Sequence, residues 1–236
     1  MFQTILINPI YNVFILLVGL MPHGDAGLAI IVMTLLMRLI LYPVFMSSIR
    51  TQMGMMAMQA EIEQNRAKYE NDKEAFGKYQ LELARKYKVN PLAMLTTLVV
   101  QFGLIISLYY ALFREGFPKI NEALLYPFVH APAQISTNFF GLMDLLTPHH
   151  IILALLVGLT QYVAIRLTFK RTPPQGTGDK LAAQRAQQQM MVYFMPVLMV
   201  VFSYFFAGAV GLYFLVGNLV SLAQELIVRR QVLKKA

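Results

Sequence analysis

Ala26-Gly-Leu-Ala-Ile-Ile-Val-Met-Thr-Leu-Leu-Met-Arg-Leu-Ile-Leu-Tyr-Pro-Val-Phe-Met46 is a stretch of membrane-spanning length that contains a single charge, Arg38. A charge inside a transmembrane helix costs about 2.5 to 3.5 kcal/mol on insertion scales, so it persists where it faces a wet cavity or a partner. Arg38 lies about 12 residues, or about 18 Å, into the stretch, which disfavours the alternative that its side chain snorkels to the membrane surface. We therefore predict that Arg38 belongs to a functional site inside a membrane protein.

The composition of the whole chain agrees with this prediction. Of the 236 residues, 57% are hydrophobic and only 14% are charged, whereas about a quarter of the residues of a soluble domain are charged. Cysteine is absent, which excludes disulfides, thiolate metal sites and cysteine nucleophiles. Residues 1–37 contain no Lys or Arg, so we expect no cleaved signal peptide.

Four windows are nearly free of charge, and the last of them is too long for one crossing. Met190 to Gln224 contains no charged residue, and as one helix it would rise about 52 Å against a hydrocarbon core of about 30 Å. It must fold back, and Gly208 and Gly211 lie near its middle, where glycine permits a tight reversal. The five predicted spans are about 26–46, 91–113, 149–168, 190–207 and 209–228.

The distribution of basic residues predicts the orientation of these spans. Of the 20 Lys and Arg residues, 17 fall in the segments 47–90, 166–189 and 229–236, which the five-span topology puts on one side. The basic side is cytoplasmic in membrane proteins, so we expect the N-terminus outside and the C-terminus inside. We interpret residues 1–24 as an interfacial helix, because its uninterrupted apolar run is too short to cross, and residues 25–236 as the core domain.

Residues 47–90 form the one large polar insertion, with eight basic and six acidic residues. Apolar residues recur in it at spacings of three and four, and Asn71-Asp72 offers a turn, so we predict a cytoplasmic hairpin of two helices. Asn90-Pro91 closes the insertion, because Asn can cap the next helix and Pro suits its first turn.

The predicted spans contain a small set of polar side chains besides Arg38. They are Thr34, Gln101, Ser107, Gln161, Ser203, Tyr213, Asn218, Ser221 and Gln224. Thr34 and Arg38 are four residues apart and share one face of a helix. Acidic residues lie only at or near span ends, so we expect Arg38 to face water or a ligand, since an unpaired, desolvated charge is costly. A small-solute or ion transporter or channel built around Arg38 would also fit this set.

Nothing in the sequence is typical of catalysis. The adjacent His149 and His150 cannot point at one ion, and no carboxylate is at ligand spacing, so we expect no metal. No nucleophile, nucleotide or dinucleotide motif occurs, so we expect no enzyme and no cofactor. Topology and anionic lipids account for the net charge of +8, so we expect no specific nucleic-acid partner.

Several stretches resemble the YidC/Oxa/Albino family of membrane protein insertases, in the same order as in that family. Gly27 to Pro43, with Arg38, resembles the first core span and its groove arginine. The other similar stretches are Val89-Asn-Pro-Leu92 at the end of the hairpin, and Tyr193-Phe-Met-Pro196, Gly211-Leu-Tyr-Phe214 and Asn218 in the last two spans. With only about 25 residues before the first span, we expect a short form without the large outer domain of some Gram-negative members.

The resemblance implies a fold and a function. The fold would be an all-α integral membrane protein, with five transmembrane helices around a hydrophilic groove that is open to cytoplasm and lipid. The function would be insertion and folding of membrane proteins without nucleotide hydrolysis. Arg38, Thr34 and Gln161 would line the groove, and Tyr213 and Phe214 would lie where the family contacts its client. The full set of candidate client-binding residues is Arg38, Thr34, Gln161, Gln101, Tyr213, Phe214 and Asn218.

The same resemblance implies a location and partners. We expect a multi-pass protein of the bacterial plasma (inner) membrane whose partners are nascent membrane protein clients and membrane lipids. A Sec-type translocon and the ribosome are further candidate partners.

Overall fold

The protein is all-α, as predicted. The computed structural model describes residues 3–69, 72–110, 117–170 and 179–233. The α-helices are α1 (Asn8–Leu20), α2 (Ala26–Ile40), α3 (Tyr42–Asn65), α4 (Lys73–Lys86), α5 (Pro91–Tyr109), α6 (Ile151–Lys170), α7 (Asp179–Gln189), α8 (Met195–Phe205) and α9 (Gly208–Leu233). Shorter helical turns cover Gln3–Ile7, Pro22–Gly24, Arg66–Tyr69, Glu122–Leu124 and Met190–Phe194. The described strands, β1 (Asn138–Phe139) and β2 (Met143–Asp144), form one small antiparallel pair.

Within the described residues, three helical segments are each long and apolar enough to cross a membrane: Ile151–Phe169, Arg185–Phe205 and Gly208–Ile227. The last two are separated by a chain reversal next to Gly208, where the sequence predicts one. The apolar part of α5 within the described residues, Val99–Tyr109, is shorter. These helices support a multi-pass membrane protein, while the count of five crossings stays a prediction.

The helix predicted over residues 26–46 is broken at Leu41. α2 ends at Ile40, α3 begins at Tyr42, and the two are bent by 66°. Pro43 explains the break, because proline lacks the N–H for an intrahelical hydrogen bond and its ring clashes with the carbonyl of the preceding turn. As a consequence, Arg38 lies in the last turn of α2 and not in the middle of a straight span.

The segment 117–150 marks one end of the bundle, which we call the loop side. Its carbonyl groups accept hydrogen bonds from the first residues of two helices: Ser136 from the Ala26 N–H at 3.0 Å and Thr147 from the Gly208 N–H at 2.9 Å. The end that carries α3 and α4 is the hairpin side. Because α2 and α9 both start at the loop side, both run toward the hairpin side.

The main hydrophobic core lies toward the loop side and includes α1. Phe14, Ile15 and Val18 of α1 are fully buried, together with Ile30 of α2 and Leu145 of the loop segment. The segment that contains α1 was predicted to lie at the membrane interface; the structure adds that one of its faces packs into the bundle.

The helices α3 and α4 pack against each other as a hairpin. Asp72 caps α4 by accepting a hydrogen bond from the Ala75 N–H at 2.9 Å, whereas Asn71 of the predicted turn lies outside the described residues. The Glu61 carboxylate of α3 accepts hydrogen bonds from the Lys86 ammonium at 2.6 and 2.8 Å and from the Tyr87 hydroxyl at 2.5 Å. This cluster ties α3 to the end of α4.

The predicted start of α5 has the expected chemistry. The Asn90 side chain accepts a hydrogen bond from the Leu92 N–H at 3.0 Å, and Pro91 occupies the first turn. The hairpin therefore returns to the bundle through a capped helix start, and α5 packs against α3.

Candidate functional site

A cavity of about 520 Å³ lies in the hairpin half of the bundle, between α2, α3, α5, α6 and α9. Its volume is within the range of about 300 to 1,000 Å³ that is typical of ligand pockets. Its polar lining residues are Arg38, Ser48, Gln52, Gln101, Gln161, Thr168, Asn218, Ser221, Gln224 and Glu225. Four of the seven candidate residues from the sequence, Arg38, Gln101, Gln161 and Asn218, are therefore brought together here.

The Arg38 guanidinium lies against an aromatic ring and a glycine. Its central carbon is 4.2 Å from the centroid of the Phe45 ring, a cation–π contact across the bend between α2 and α3. A Cβ atom placed on Gly217 would lie 3.2 Å from Nη2, so the glycine leaves the guanidinium its space beside α9. Among the described residues, no carboxylate pairs with Arg38. Glu225 lines the same cavity but does not form an ion pair with Arg38, so the guanidinium keeps donors that face the cavity.

Thr34 and Tyr213 lie behind the wall of the cavity and do not line it. The Thr34 hydroxyl is buried one turn below Arg38 and donates to the Ile30 carbonyl at 2.7 Å. The Tyr213 hydroxyl is buried as well and accepts a hydrogen bond of 2.9 Å from the Gln101 amide. Tyr213 thus contacts the cavity lining through Gln101, whose amide it orients.

Phe214 belongs to an aromatic cluster at the junction of α8 and α9. Its ring packs edge to face on Phe202, with 5.9 Å between centroids, and on Tyr213, with 5.5 Å. It does not line the cavity. The pair Tyr213 and Phe214 therefore supports the α9 wall in this structure.

The amides of Asn218 and Gln161 differ in what they bind. Asn218 donates to the Val157 carbonyl at 3.3 Å and to the Thr160 hydroxyl at 3.2 Å, and so joins α9 to α6. Within the described chain, the side chains of Gln161 and Gln52 form no hydrogen bond with protein, although both line the cavity. These two amides, on the α3 and α6 walls, retain their hydrogen-bonding capacity for water or a ligand.

The sequence did not single out the α3 wall of the cavity, which Phe45, Ser48, Ile49 and Gln52 form. Residues 42–46 were assigned to a straight first span and 47–90 to a separate insertion. The bend at Leu41 directs α3 across the end of α2, and Pro43 is the signal in the sequence that could have predicted it.

On the loop side of the bundle, a buried carboxylate holds the loop segment against the start of α2. Asp25 Oδ1 accepts hydrogen bonds from the N–H groups of Gly27 at 2.8 Å and Leu28 at 3.1 Å, which caps α2. Its Oδ2 accepts the Phe140 N–H at 3.2 Å and so fixes the loop segment over the helix start. The hairpin side of the bundle therefore contains a polar cavity, whereas the loop side is packed with apolar side chains and its buried carboxylate is fully hydrogen-bonded.

Comparison with known proteins agrees with this architecture. A sequence model of the family described as 60Kd inner membrane protein matches residues 19–235. The chain belongs to this family, the YidC/Oxa family. The resemblance stated from the sequence is thereby confirmed.

Relatives of known name are membrane protein insertases YidC. The insertase of Oceanobacillus iheyensis is 27% identical over 99% of this chain and 85% of its own length. The Shewanella loihica protein is 30% identical over 90% of this chain, and a Francisella tularensis protein is 29% identical over 88%. The chain spans about a third of the length of the latter two, 35% and 33%.

Membership of this family indicates the general function of the chain. These relatives support membrane insertase function, in a family that is not known for catalysis. The apolar helices and the relatives also support a multi-pass protein of the bacterial inner membrane.

Proposed function

We propose that the chain inserts membrane proteins by holding a short polar or acidic segment of a client in the cavity around Arg38. The apolar segment of the client meanwhile passes sideways into lipid, and no nucleotide is hydrolysed. The observation that carries this proposal is the cavity itself, in which one guanidinium without a described carboxylate partner and two amides face a common space.

The energetics favour such a site for this task. A polar chain segment that enters hydrocarbon leaves its backbone and charged groups without hydrogen bonds, at a cost of several kcal/mol per group. Arg38, Gln52 and Gln161 offer both hydrogen-bond donors and acceptors at the level of apolar helices. A positive charge also attracts an acidic side chain, which is the costliest element of a short translocated segment.

The surface beside the cavity is suited to the apolar part of a client. Leu39 and Ile40, next to Arg38, are each 69% exposed, and Phe102, next to Gln101, is 59% exposed. Exposed apolar side chains of this size on membrane helices are compatible with lipid. A client whose polar segment lies at Arg38 would therefore have its hydrophobic segment at the lipid boundary.

The proposal includes the predicted topology and partners. The N-terminus would be outside and the C-terminus inside, so that the cavity serves the cytoplasmic half of the membrane. Nascent membrane proteins are the clients, membrane lipids receive their spans, and a Sec-type translocon and the ribosome are candidate suppliers of clients.

The experiment is site-specific photo-crosslinking to a single-span client in vesicles that hold only this protein and no nucleotide. The photoreactive residue replaces Gln52 or Gln161, which face the cavity, or Ile152 as a control on the outer surface of α6. We expect Gln52 and Gln161 positions to crosslink to the polar segment of the client, mapped by mass spectrometry. The Ile152 position should reach only its apolar segment.

The result that overturns the proposal is equally specific. If neither cavity position crosslinks to the client while the variants remain folded, the cavity does not handle polypeptide. Solute flux through vesicles of the same preparation then tests the alternative of a small-solute or ion pathway around Arg38.

A further inference from the structure

A second cleft, of about 290 Å³, lies between the end of α6 and the α7–α8 junction. We propose that this cleft binds the phosphate headgroup of an anionic phospholipid between Arg166 and Arg185. We call it the arginine cleft. It is separate in function from the cavity around Arg38, although Phe169 contributes to both walls.

No described carboxylate neutralises the charge in the arginine cleft. Arg166 and Arg185 both line it, with Gln189 and Tyr193 as further polar groups, and none of the described lining residues is acidic. Neither arginine pairs with a carboxylate among the described residues. Two guanidinium groups around one small space suit a phosphate, because each offers several donors in a planar fork.

One of the two arginines is held in position by its neighbours. Arg166 donates a hydrogen bond to the hydroxyl of Tyr162, one turn earlier on α6, and its guanidinium carbon lies 5.5 Å from the centroid of that ring. The Tyr162 ring in turn lies 6.2 Å from the Tyr193 ring of the segment before α8. The guanidinium is thus partly preorganised, which lowers the entropic cost of binding.

The depth of the arginine cleft corresponds to the level of lipid headgroups. Arg185 begins one apolar membrane segment, Arg185–Phe205, and Arg166 lies one turn before the end of another, Ile151–Phe169. Basic and tyrosine side chains at the ends of spans are typical of the membrane–water interface, and basic clefts between membrane helices bind acidic headgroups.

Exposed apolar side chains close in sequence to the cleft lining provide a place for acyl chains. Val163 of α6 and Phe194 and Val197 at the start of α8 are all exposed and apolar. A free phosphate ion would make no use of this surface. The combination of a basic cleft with exposed apolar side chains within one helical turn of its lining residues favours a phospholipid over a soluble anion.

The test uses the full chain with a tryptophan reporter, which is possible because the natural sequence contains no tryptophan. Phe194→Trp puts an exposed indole next to Tyr193 of the cleft lining, where bromine on lipid acyl chains quenches its fluorescence. Vesicles of phosphatidylcholine receive equal fractions of brominated phosphatidylglycerol or brominated phosphatidylcholine. We expect at least fivefold preference for phosphatidylglycerol, since each basic residue near an acidic lipid contributes about fivefold.

Matched variants decide the outcome. Arg166→Gln with Arg185→Gln should bring the preference to about one, and Arg185→Gln alone, at an exposed position, should give an intermediate value. Arg50→Gln removes the same charge from α3 away from the cleft and should leave the preference unchanged. Equal quenching by both lipids, or a preference that survives the double variant, overturns the proposal. So does displacement of phosphatidylglycerol by millimolar inorganic phosphate, which would make this a site for soluble anions.

Discussion

The two halves of this bundle treat polar groups in opposite ways. On the loop side, Asp25 is buried and each carboxylate oxygen accepts hydrogen bonds from backbone N–H groups, above a core that contains Phe14 and Leu145. On the hairpin side, Arg38 and Gln161 face an open cavity with hydrogen-bonding capacity left over. One half uses its polar groups for structure, whereas the other keeps them available.

The contrast explains how a membrane protein can contain a polar cavity and remain folded. A satisfied buried polar group stabilises, while an unsatisfied one costs about 1 to 3 kcal/mol unless water or a ligand replaces the missing partner. The tightly packed half can offset that cost for the open half. The comparison predicts that mutations in the loop half reduce stability, and that mutations in the hairpin half reduce client handling with little loss of stability.

The largest effect should come from a mutation in the core on the loop side. Phe14→Ala removes a fully buried ring that packs on Phe117, with 5.5 Å between the ring centroids, and should lower the free energy of unfolding by about 3 kcal/mol because a cavity remains. Leu16→Ala, on the exposed face of the same helix, is the control and should change it by less than about 0.5 kcal/mol. Denaturation in detergent measures both. Similar losses for the two variants would mean that α1 is not part of the core.

The next effect belongs to the open half. Arg38→Glu should reduce insertion of a client with an acidic translocated segment about tenfold, or about 1.4 kcal/mol, since attraction becomes repulsion. A matched client with a neutral segment should lose less, and Arg38→Lys should retain most of the activity because the charge remains. Vesicle insertion assays give the ratio. Equal losses for both clients would point to misfolding instead of a lost charge.

A smaller effect separates the geometry of Arg38 from its charge. Gly217→Ala brings a methyl group to 3.2 Å from the guanidinium, which must then shift. Crosslinking of the acidic client from position 161 should therefore fall about twofold to threefold, an effect of under about 1 kcal/mol. Stability should be unchanged or slightly higher, because alanine favours a helix over glycine. Gly77→Ala in α4, where a Cβ atom meets nothing within 4 Å, is the control. A loss of stability without any change in crosslinking would contradict the assigned role.

The smallest effect concerns the hairpin. Hydrogen bonds from Lys86 and Tyr87 hold the pKa of the Glu61 carboxyl below its usual value, so the cluster stabilises the hairpin above the unfolded pKa of about 4.3 and weakens as the pH falls through the lower folded value. Glu61→Gln removes the carboxylate at any pH. The distribution of distances between α3 and α4 in this variant at pH 7 should therefore be as broad as that of the wild type at acid pH.

Spin labels at Gln59 and Leu81 can measure this distance, since the chain has no cysteine of its own. Glu74→Gln is the matched control, because the described partner of Glu74 is Lys78 of the same helix, at 2.8 Å. It should leave the distance distribution unchanged. An equal effect of both variants would show that overall charge, and not the Glu61 cluster, holds the hairpin.

Much of the fold could be predicted because local signals were strong. The charge-free window from Met190 to Gln224 required a reversal, and α8 and α9 meet beside Gly208 as expected. Asn90 and Pro91 predicted the start of α5, and the cap is present. Signals of this kind depend on a few neighbouring residues and on the thickness of a membrane.

The candidate site could be predicted only in part. Arg38, Gln101, Gln161 and Asn218 line one cavity, in keeping with the rule that polar groups in apolar helices avoid lipid, while their part in client binding stays a prediction. This rule does not say whether a given polar side chain faces the cavity or bonds to a neighbouring helix. Tyr213 avoids lipid by accepting a hydrogen bond from Gln101 behind the cavity wall, and it does not face the cavity.

Hydropathy and charge placement are properties of the chain, so the sequence was enough to predict a helical membrane protein with one charge in its first predicted span. What surrounds that charge became apparent in the folded structure alone. The 66° bend after α2 brings Phe45 onto the Arg38 guanidinium and makes α3 a wall of the cavity. The physical reason is that a break at Pro43 is local, whereas the direction in which α3 then runs depends on its packing against α5.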